Sequence, residues 1–408
     1  MRGRGEGLKI ALLSDVFARN MGYLENMLPK YLVRLGADVD VVTTDLPPYY
    51  QIQEFKTTYK DFIVPRLLSP GTVESHEGFT LHVLAHKKTL GYTKMKNMLR
   101  VIRSMRPDIV QTTSAIGWTA LEAALGKPWL GYKLFTGSHT TASVFPLATQ
   151  NLPWWHSERL RCAVMRTVHG RFINSFAEKC YGATVDCADV AVRFFGVTRG
   201  KIDVCPLGVD TELFSPRNGE QNSRDRIALR HHLGFSDSEI VCVYSGRFTE
   251  DKNPLLLAKA VAQLVRRGEA FRGLFVGNGI QTEAIRSQPG CVTHPFVPVQ
   301  ELGDFFRAAE IGVWPTQEST SMLDAAACGL PIIVNDTLLA KERISGNGIT
   351  YRLNDLEDLV RALLSLRDAN TRKNLGDAGA ARMASQFSWA AIAQRRMSDY
   401  EAALSGRN

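Results

Sequence analysis

Long hydrophobic runs and paired cysteines are both absent from the sequence. No apolar stretch approaches the roughly 20 residues that a membrane-spanning helix needs, and the opening MRGRGEGLKI lacks the pattern of a cleavable signal. The seven cysteines are scattered, with no CxxC pair and no spacing to histidine that is typical of a metal site. We therefore expect a cytoplasmic protein whose thiols are reduced and lie in the core.

Composition and length exclude a disordered chain, a fibrous chain and a single small domain. Hydrophobic residues make up 45% of the chain and charged residues 22%, as in an average globular protein. At 408 residues the chain is long enough for two domains, each with its own core. Lys and Arg outnumber Asp and Glu by 49 to 41, which favours anionic partners. Nucleic acid is disfavoured among them, because no recognised arrangement of stacking aromatic residues accompanies the basic stretches.

Two series of alternating strand and helix signals follow each other along the chain. The first series predicts strands and helices in alternation over residues 10–14, 23–35, 39–43, 79–84, 92–105, 108–112, 118–125 and 129–135. The second begins at Ile240 with VCVYSG and continues through GLFVG, IGVWP and PIIVN, with helical segments between them. Each series predicts a parallel sheet covered by helices, so the fold class is α/β with two Rossmann-like domains.

The turn-rich segment 205–225 separates the two series. We assign residues 1–205 to an N-terminal domain and residues 206–387 to a C-terminal domain. The last helical segment, 389–404, can belong to either domain by its periodicity. We assign residues 388–408 to a helix that packs back on the N-terminal domain.

The segment SGRFTEDKNP, residues 245–254, directly follows the first strand of the second series. It carries two cations, Arg247 and Lys252, and ends with Asn253 and Pro254, which suit the N-cap and the first position of a helix. Two cations beside a helix N-terminus suit a diphosphate, and they would also stabilise the charge on a departing nucleoside diphosphate. The alternative is a solvated turn in which the acidic residues of the segment pair with the cations.

The segment WPTQESTSMLDAAACGLP, residues 314–331, joins a strand end to a helix. Its polar part offers hydroxyls, backbone N–H groups and a carboxylate at the carboxyl edge of the sheet, where doubly wound sheets bind ligands. These polar residues are Glu318, Ser319, Thr320 and Ser321. Asp324 can accept hydrogen bonds from a ribose diol. The alternative is a capping box, because Ser321 and Asp324 have the spacing of N-cap and N3 residues.

Glycines and a histidine follow other predicted strands. Gly277 and Gly279 in FVGNG, and Gly22 ahead of the first helix, relieve steric crowding either for a tight turn or for a nucleotide. His139 in FTGSHTTAS lies on a predicted loop at the edge of the first sheet. This position suits a histidine in a binding cleft, and the alternative is an ordinary hydrogen-bonded loop histidine. His294 is the second histidine candidate.

Two stretches, residues 87–106 and 154–171, are basic and partly apolar. Either stretch can lie on an anionic membrane. The alternative for each is a helix with a core stripe and a solvated basic face.

Taken in order, these segments resemble the group 1 glycosyl transferases, retaining enzymes of the GT-B fold. The resemblance covers nearly the whole chain and is strongest at PLGVDTELFSP (206–216), GRFTEDKNPLLLAKA (246–260) and VPVQELGDFFRAAEIGVWPT (297–316). FVGNG, DAAACGLPII and RPDIVQ also match. The resemblance implies two facing Rossmann-like domains, with a cleft in which a sugar passes from a nucleoside-diphosphate sugar to an acceptor hydroxyl.

The resemblance also implies site residues. Arg247 and Lys252 correspond to the cations that hold the donor diphosphate, Asp324 stands at the ribose-binding glutamate that ends the family's E-x7-E motif, and His139 resembles the histidine near the transferred sugar. The other donor-binding positions are Gly22 under the phosphates, Phe296 and Val297 at the base-binding loop, and Gly246, Gly277, Glu318, Ser319, Thr320 and Ser321. The catalytic set is His139, Arg247, Lys252 and Glu318.

One departure from the family pattern leaves alternatives open. Thr316 stands where the first glutamate of E-x7-E is expected, and the nearest carboxylate is Glu318. Either Glu318 reaches the sugar from a shifted loop, or the site recognises an unusual donor sugar. A sugar-nucleotide epimerase of the same fold and a donor-binding protein without catalysis are the alternative functions.

We expect the acceptor to be a glycan, a lipid or a lipid-linked glycan of the cell envelope. The protein would then lie in the cytoplasm or on the inner face of the membrane. No metal or other cofactor is required, because two cations and a helix N-terminus can stabilise the leaving phosphate. Asp38-Val-Asp40 resembles a metal-binding DxD motif but falls inside a predicted strand.

Overall fold

The structure is a computed structural model, and it describes residues 7–19, 21–50, 55–63, 67–150, 152–153, 155–216, 220–316 and 319–406. Two mostly parallel sheets, one from each half of the chain, form the framework. The predicted α/β class with two Rossmann-like domains is confirmed.

The N-terminal sheet contains eight of the first ten strands. These ten strands are β1 (Lys9–Leu13), β2 (Asp38–Thr44), β3 (Val73–His76), β4 (Phe79–Leu84), β5 (His86–Thr89), β6 (Tyr92–Met95), β7 (Ile109–Thr112), β8 (Lys133–Ser138), β9 (Ala177–Gly182) and β10 (Ile202–Val204). The sheet order is β10-β9-β8-β7-β1-β2-β4-β3, in which only β3 and β4 pair antiparallel. Strands β5 and β6 form a separate hairpin.

The C-terminal sheet is parallel throughout. Its strands are β11 (Ile240–Ser245), β12 (Phe271–Val276), β13 (Cys291–His294), β14 (Ile311–Trp314), β15 (Ile332–Asn335) and β16 (Gly348–Tyr351). They run in the order β13-β12-β11-β14-β15-β16. Strands β14 and β15 are buried along their whole length, in keeping with their sequences IGVW and IIVN, which are apolar apart from Asn335.

Helices connect most of these strands. They are α1 (Leu24–Arg34), α2 (Phe55–Thr58), α3 (Lys60–Ile63), α4 (Met98–Met105), α5 (Trp118–Leu130), α6 (Pro146–Thr149), α7 (Ser157–Cys162), α8 (His169–Phe176), α9 (Val185–Phe194), α10 (Glu220–His232), α11 (Pro254–Arg266), α12 (Thr282–Arg286), α13 (Val299–Arg307), α14 (Ser321–Ala327), α15 (Leu356–Ser365), α16 (Ala369–Arg382) and α17 (Trp389–Ser405). Two π-helical segments, Ala163–Val168 and Met383–Phe387, continue α7 and α16. Among the described residues, no helix has both the length and the apolar character that crossing a bilayer requires.

Two segments predicted in the first series are wrong at their boundaries. Residues 92–105 begin as β6 and become helical only at α4, because Leu90 and Gly91 turn the chain with φ of 52° and 81° and return it as a hairpin. Residues 129–135 begin inside α5, which continues to Leu130 and ends where Gly131 adopts the left-handed conformation.

The chain crosses between the domains at Gly208 and Val209, and it returns just before α17. The Val209 N–H donates to the Phe387 carbonyl over 2.8 Å, and the Trp389 N–H donates to the Val209 carbonyl over 3.0 Å. Gly208 lies against the Trp389 ring, where a Cβ would approach Cδ2 to 2.7 Å. The two crossings are therefore joined by backbone hydrogen bonds and by one closely packed ring.

Asp210 joins this crossing to helix α1. Its carboxylate accepts hydrogen bonds from Lys30 Nζ at 2.9 Å and from the Tyr31 hydroxyl at 2.7 Å. Burial alone would raise the pKa of Asp210, but these two donors outweigh it and hold the pKa below the ordinary value. Asp210 is therefore ionised at neutral pH and anchors the linker to the N-terminal domain.

Helix α17 packs against α1 and the N-terminal sheet. The Arg396 guanidinium is buried, donates to Gln111 Oε1 over 3.0 Å and lies 3.5 Å from the centre of the Tyr181 ring. Asp399 accepts hydrogen bonds from Lys179 and the Tyr181 hydroxyl, both at 2.8 Å. The last helix is thus held to the first domain by polar contacts as well as by its apolar face.

We predict that Gly208→Ala destabilises the protein by roughly 1–3 kcal/mol, because the added methyl group overpacks the Trp389 site. A urea-unfolding curve should show a lower midpoint for this variant. Gly200→Ala is the matched control, since a Cβ there would have nothing within 4 Å. Equal midpoints for the two variants would contradict the assigned role of Gly208.

Candidate functional site

A cavity of about 590 Å³ lies between the two domains. Its lining includes residues that directly follow or end β1, β7, β8, β11 and β12, so the carboxyl edges of both sheets face it. This is the position at which doubly wound sheets bind ligands.

Most of the residues predicted for a donor site line this cavity. They are Gly22, His139, Gly246, Arg247, Lys252, Phe296, Val297, Ser319, Thr320, Ser321 and Asp324. Gly277 is not among the lining residues. The space that a side chain would need there is occupied by the backbone of Gly246, whose carbonyl oxygen would lie 1.9 Å from a Cβ on Gly277. Glu318 lies outside the described residues.

The cationic loop after β11 leads directly into α11. Pro254 is the first residue of the helix, as predicted, but Asn253 adopts the left-handed conformation (φ 47°) and its side chain does not cap the helix. Arg247 pairs with Asp251 at 3.0 Å, so the ion pair expected of a plain turn is present. Both Arg247 and Lys252 nevertheless line the cavity, beside the amino end of α11.

The loop before α14 does not form the alternative capping box. The helix begins at Ser321, and the preceding Thr320 has helical dihedrals and makes no side-chain cap. The Ser321 hydroxyl instead donates to the Ser245 carbonyl over 3.2 Å, which ties this loop to the end of β11. The capping-box prediction is wrong because the helix begins at Ser321 itself, one residue earlier than the box requires, and Asp324 is left facing the cavity.

Three titratable side chains in the cavity are held towards their neutral forms. Burial raises the pKa of Glu25 to about 7. Burial, with a smaller contribution from the charge of Asp210, raises the pKa of Asp324 well above its ordinary value. Desolvation by the protein packed around the His139 ring, which is itself open to the cavity, and then the positive charge of Arg396 lower the pKa of His139 to about 4. Near neutral pH, much of the fixed charge on the cavity wall therefore comes from the cationic loop.

The geometry of His139 defines which ring nitrogen is available. Its Nδ1 lies 3.0 Å from the Thr113 carbonyl oxygen. Because a carbonyl only accepts hydrogen bonds, Nδ1 carries the proton and Nε2 of the neutral ring is an acceptor. Gly137 leaves room for this arrangement, since a Cβ there would lie 3.3 Å from His139 Cε1.

An aromatic wall completes the cavity and includes residues that the sequence reasoning missed. Tyr49 stacks on Tyr59 with ring centres 4.7 Å apart, and Tyr59 stacks on Phe296 with centres 5.2 Å apart. The Tyr23 hydroxyl lies 2.5 Å from that of Tyr49. Glu25 was missed as well. The concentration of tyrosine in PPYY, residues 47–50, was the available sequence signal.

The remaining candidate residues have structural partners. His82 Nε2 lies 2.7 Å from Asp40, inside the DxD segment, so this carboxylate is engaged within the sheet. His294 packs on Phe305 with ring centres 4.7 Å apart and does not line the cavity. Within the described parts of the chain, no group of three or more His, Cys, Asp or Glu side chains is arranged to hold a metal ion. All seven cysteines are free thiols, and six are buried.

Two family models match the chain in succession. The model described as Glycosyltransferase Family 4 matches residues 27–213, and the model described as Glycosyl transferases group 1 matches residues 239–368. The first match ends within the turn-rich segment 205–225, and the second begins after it.

Curated relatives carry the name D-inositol 3-phosphate glycosyltransferase. The protein from Nocardia farcinica is 31% identical over 263 residues, which cover 59% of this chain and 56% of the relative. The one from Segniliparus rotundus is 28% identical over 312 residues, covering 71% and 64%. The chain thus matches between about half and two thirds of the length of these relatives.

Solved structures share the fold. Sucrose-phosphate synthase from Thermosynechococcus elongatus superposes with a TM-score of 0.71 at 16% identity, covering 98% of this chain and 100% of the other. HepE from Anabaena, solved in complex with UDP-glucose, superposes with a TM-score of 0.65 at 14% identity, covering 98% and 100%. The structural neighbours confirm the GT-B fold. Because two successive glycosyltransferase models account for both halves of a chain with this fold, the protein belongs to the group 1 glycosyltransferase family.

Proposed function

We propose that this protein transfers a sugar from a nucleoside-diphosphate sugar to an acceptor hydroxyl, with retention of the anomeric configuration. The observation that carries the proposal is the interdomain cavity, in which Arg247 and Lys252 at the start of α11 face His139 and Asp324. Membership of the glycosyltransferase family and the UDP-glucose complex of a protein with the same fold support it.

The donor diphosphate binds at Arg247 and Lys252 in this proposal. Charge-assisted hydrogen bonds from both side chains, together with the N-terminus of α11, hold the phosphate oxygens. Arg247 then shares its guanidinium between Asp251 and the phosphate. The same groups stabilise the negative charge that develops as the nucleoside diphosphate departs, so the proposed reaction needs no metal ion.

The nucleoside occupies the C-terminal side of the cavity. Phe296 and Val297 contact the base, and Asp324 contacts the ribose diol. The raised pKa of Asp324 favours its neutral carboxyl group, which can both donate a hydrogen bond to one hydroxyl and accept one from the other. Glu318 is proposed to contact the transferred sugar from its position two residues after Thr316.

The acceptor hydroxyl attacks the anomeric carbon on the face from which the diphosphate departs. The bond between the anomeric carbon and the phosphate oxygen breaks, the new glycosidic bond forms, and the acceptor proton passes to the departing phosphate oxygen. The neutral His139 accepts a hydrogen bond from a hydroxyl of the sugar at Nε2 and so orients the ring. Contact between the two domains around the cavity excludes water and limits hydrolysis of the donor.

The acceptor is proposed to be a lipid or a lipid-linked glycan of the cell envelope, bound by the N-terminal domain at the inner face of the membrane. The curated relatives are named for transfer to D-inositol 3-phosphate. That compound is therefore the first soluble acceptor to test beside lipid-linked substrates. An epimerase would instead convert the donor without any acceptor, which product analysis detects.

We predict that Arg247→Ala and Lys252→Ala each weaken nucleoside-diphosphate binding by about ten- to a hundredfold, the loss expected for one charge-assisted hydrogen bond. Calorimetry against UDP, GDP and ADP measures the effect. Lys259→Ala, on the exposed face of α11, removes the same charge outside the cavity and should bind as the wild type does. Binding of none of the three nucleotides, or equal affinity in all variants, would refute the proposed donor site.

The pKa of Glu25 predicts a pH-dependent stability. The folded protein holds this proton up to about pH 7, whereas the unfolded chain releases it near 4.5. The protonated Glu25 carboxyl therefore contributes about 3 kcal/mol to the free energy of unfolding. This contribution is fully present below pH 4.5 and is lost as the pH rises to 7. The free energy of unfolding, measured from pH 4.5 to 8, should therefore fall more steeply with pH for the wild type than for Glu25→Gln. Parallel curves would show that Glu25 ionises normally.

The same ionisation should weaken donor binding. Above pH 7, Glu25 adds a negative charge to the wall of the cavity that receives the diphosphate. Between pH 6 and 8, we expect the affinity of the wild type for its nucleotide to fall relative to that of Glu25→Gln. A ratio of the two affinities that does not change with pH would contradict this prediction. The ratio also cancels the titration of the nucleotide itself.

A further inference from the structure

An apolar stripe lies exposed on the N-terminal domain. It consists of Leu160, Val164, Val168 and Phe172, which are 52%, 64%, 65% and 45% exposed. The four residues recur at four-residue spacing along one continuous helical segment, formed by α7, the π-helical segment Ala163–Val168 and α8. Side chains four residues apart share a helix face, so the stripe is a single surface.

The opposite face of this segment is fixed against the domain. A Cβ on Gly170 would lie 2.0 Å from the Phe195 carbonyl oxygen, so the helix backbone touches the neighbouring loop there. Ile173 and Asn174 are buried, and the Asn174 amide donates to the Ala115 carbonyl over 3.0 Å. Rotation that would bury the stripe breaks these contacts. The exposure of the stripe is therefore built into the fold.

A tryptophan stands at the start of this segment. Trp155, 64% exposed, lies two residues before α7. Tryptophan combines a large apolar ring with an N–H donor and is enriched at membrane–water interfaces. Apolar patches of this kind on soluble proteins mark interaction sites.

The charge of the segment selects the partner. Residues 157–176 contain four arginines and a single acidic residue, Glu158. Arg161 and Arg171 are exposed next to the stripe. An exposed apolar face flanked by arginine is complementary to a bilayer of anionic lipid, where the apolar side chains enter the interface and the cations contact phosphate.

The other basic stretch does not share this character. Residues 87–106 form the β5–β6 hairpin and α4, whose Met98 and Ile102 are buried, and Lys94 pairs with Glu122 at 2.7 Å. For residues 87–106, the alternative predicted from the sequence, a helix with a core stripe and a solvated basic face, is therefore the one that the structure shows.

We propose that the stripe, together with Trp155, docks the protein on an anionic membrane. The inference rests on the proposed transfer to a lipid or lipid-linked acceptor and assigns the surface that brings the protein to it. The segment follows β8 along the chain, whose carboxyl end carries His139 in the cavity. Docking through this segment therefore brings the membrane to the N-terminal domain, the same domain that carries His139 in the cavity.

The test is flotation with vesicles of phosphatidylcholine mixed with phosphatidylglycerol, compared with phosphatidylcholine alone. We expect several-fold more protein on the anionic vesicles, and less as salt is added. Val164→Glu/Val168→Glu should lower the partitioning at least about tenfold, because it replaces apolar insertion by repulsion. Val73→Glu/Leu339→Glu is the matched control, with residues of similar exposure (63% and 61%) outside the surface and the same change in charge.

Three results would overturn the proposal. One is equal partitioning of the two double variants, and another is the absence of wild-type binding to anionic vesicles. The third is a wild-type dimer that the stripe variant converts to a monomer without a change in vesicle binding, since the surface would then be an interface between copies. Calorimetric binding of the nucleotide by the same variants tests the donor site separately, so failure of the membrane surface and failure of the proposed function are distinguishable.

Discussion

The position of one domain relative to the other depends on a single contact, at which the chain passes from the first domain to the second and later returns. The backbone of Val209 is hydrogen-bonded on one side to Phe387 and on the other to Trp389, and Gly208 leaves the space that the tryptophan ring fills. A cavity made from two sheets keeps its shape only if the sheets keep their distance. The cationic loop after β11 and the loop that carries His139 belong to different domains, so their spacing follows from this small contact.

The cavity separates fixed charge from groups that are kept neutral. Arg247 and Lys252 provide positive charge at the start of α11, whereas desolvation by the surrounding protein holds Glu25, His139 and Asp324 towards uncharged forms. An anionic ligand in the cavity therefore meets these two cations, of which Arg247 also pairs with Asp251, while the carboxyl groups of Glu25 and Asp324 on the cavity wall are held towards their neutral forms. The neutral groups retain their hydrogen-bonding capacity, which suits recognition of sugar and ribose hydroxyls rather than of charge.

The sequence predicted those parts of the site that are local in the chain. Arg247 and Lys252 follow a buried strand and precede a helix, and such a strand–loop–helix unit is visible from apolar runs and a proline. Tyr59 and Glu25 could not be found in this way, because their role depends on approach to another domain and on burial, which spacing does not encode. The start of α14 predicted from a capping box at Ser321 was wrong by one residue, because helix boundaries depend on tertiary contacts such as the hydrogen bond from Ser321 to the Ser245 carbonyl.

Helix α1 touches both the crossing and the cavity. Near its carboxyl end, Lys30 and Tyr31 hold Asp210, and at its amino end Gly22 and Glu25 face the ligand space. Its 11 residues span about 16 Å. The apolar face of α1 lies in the core of the N-terminal domain, so the helix is a rigid spacer: one end fixes the linker through Asp210, and the other end fixes the loop at the cavity.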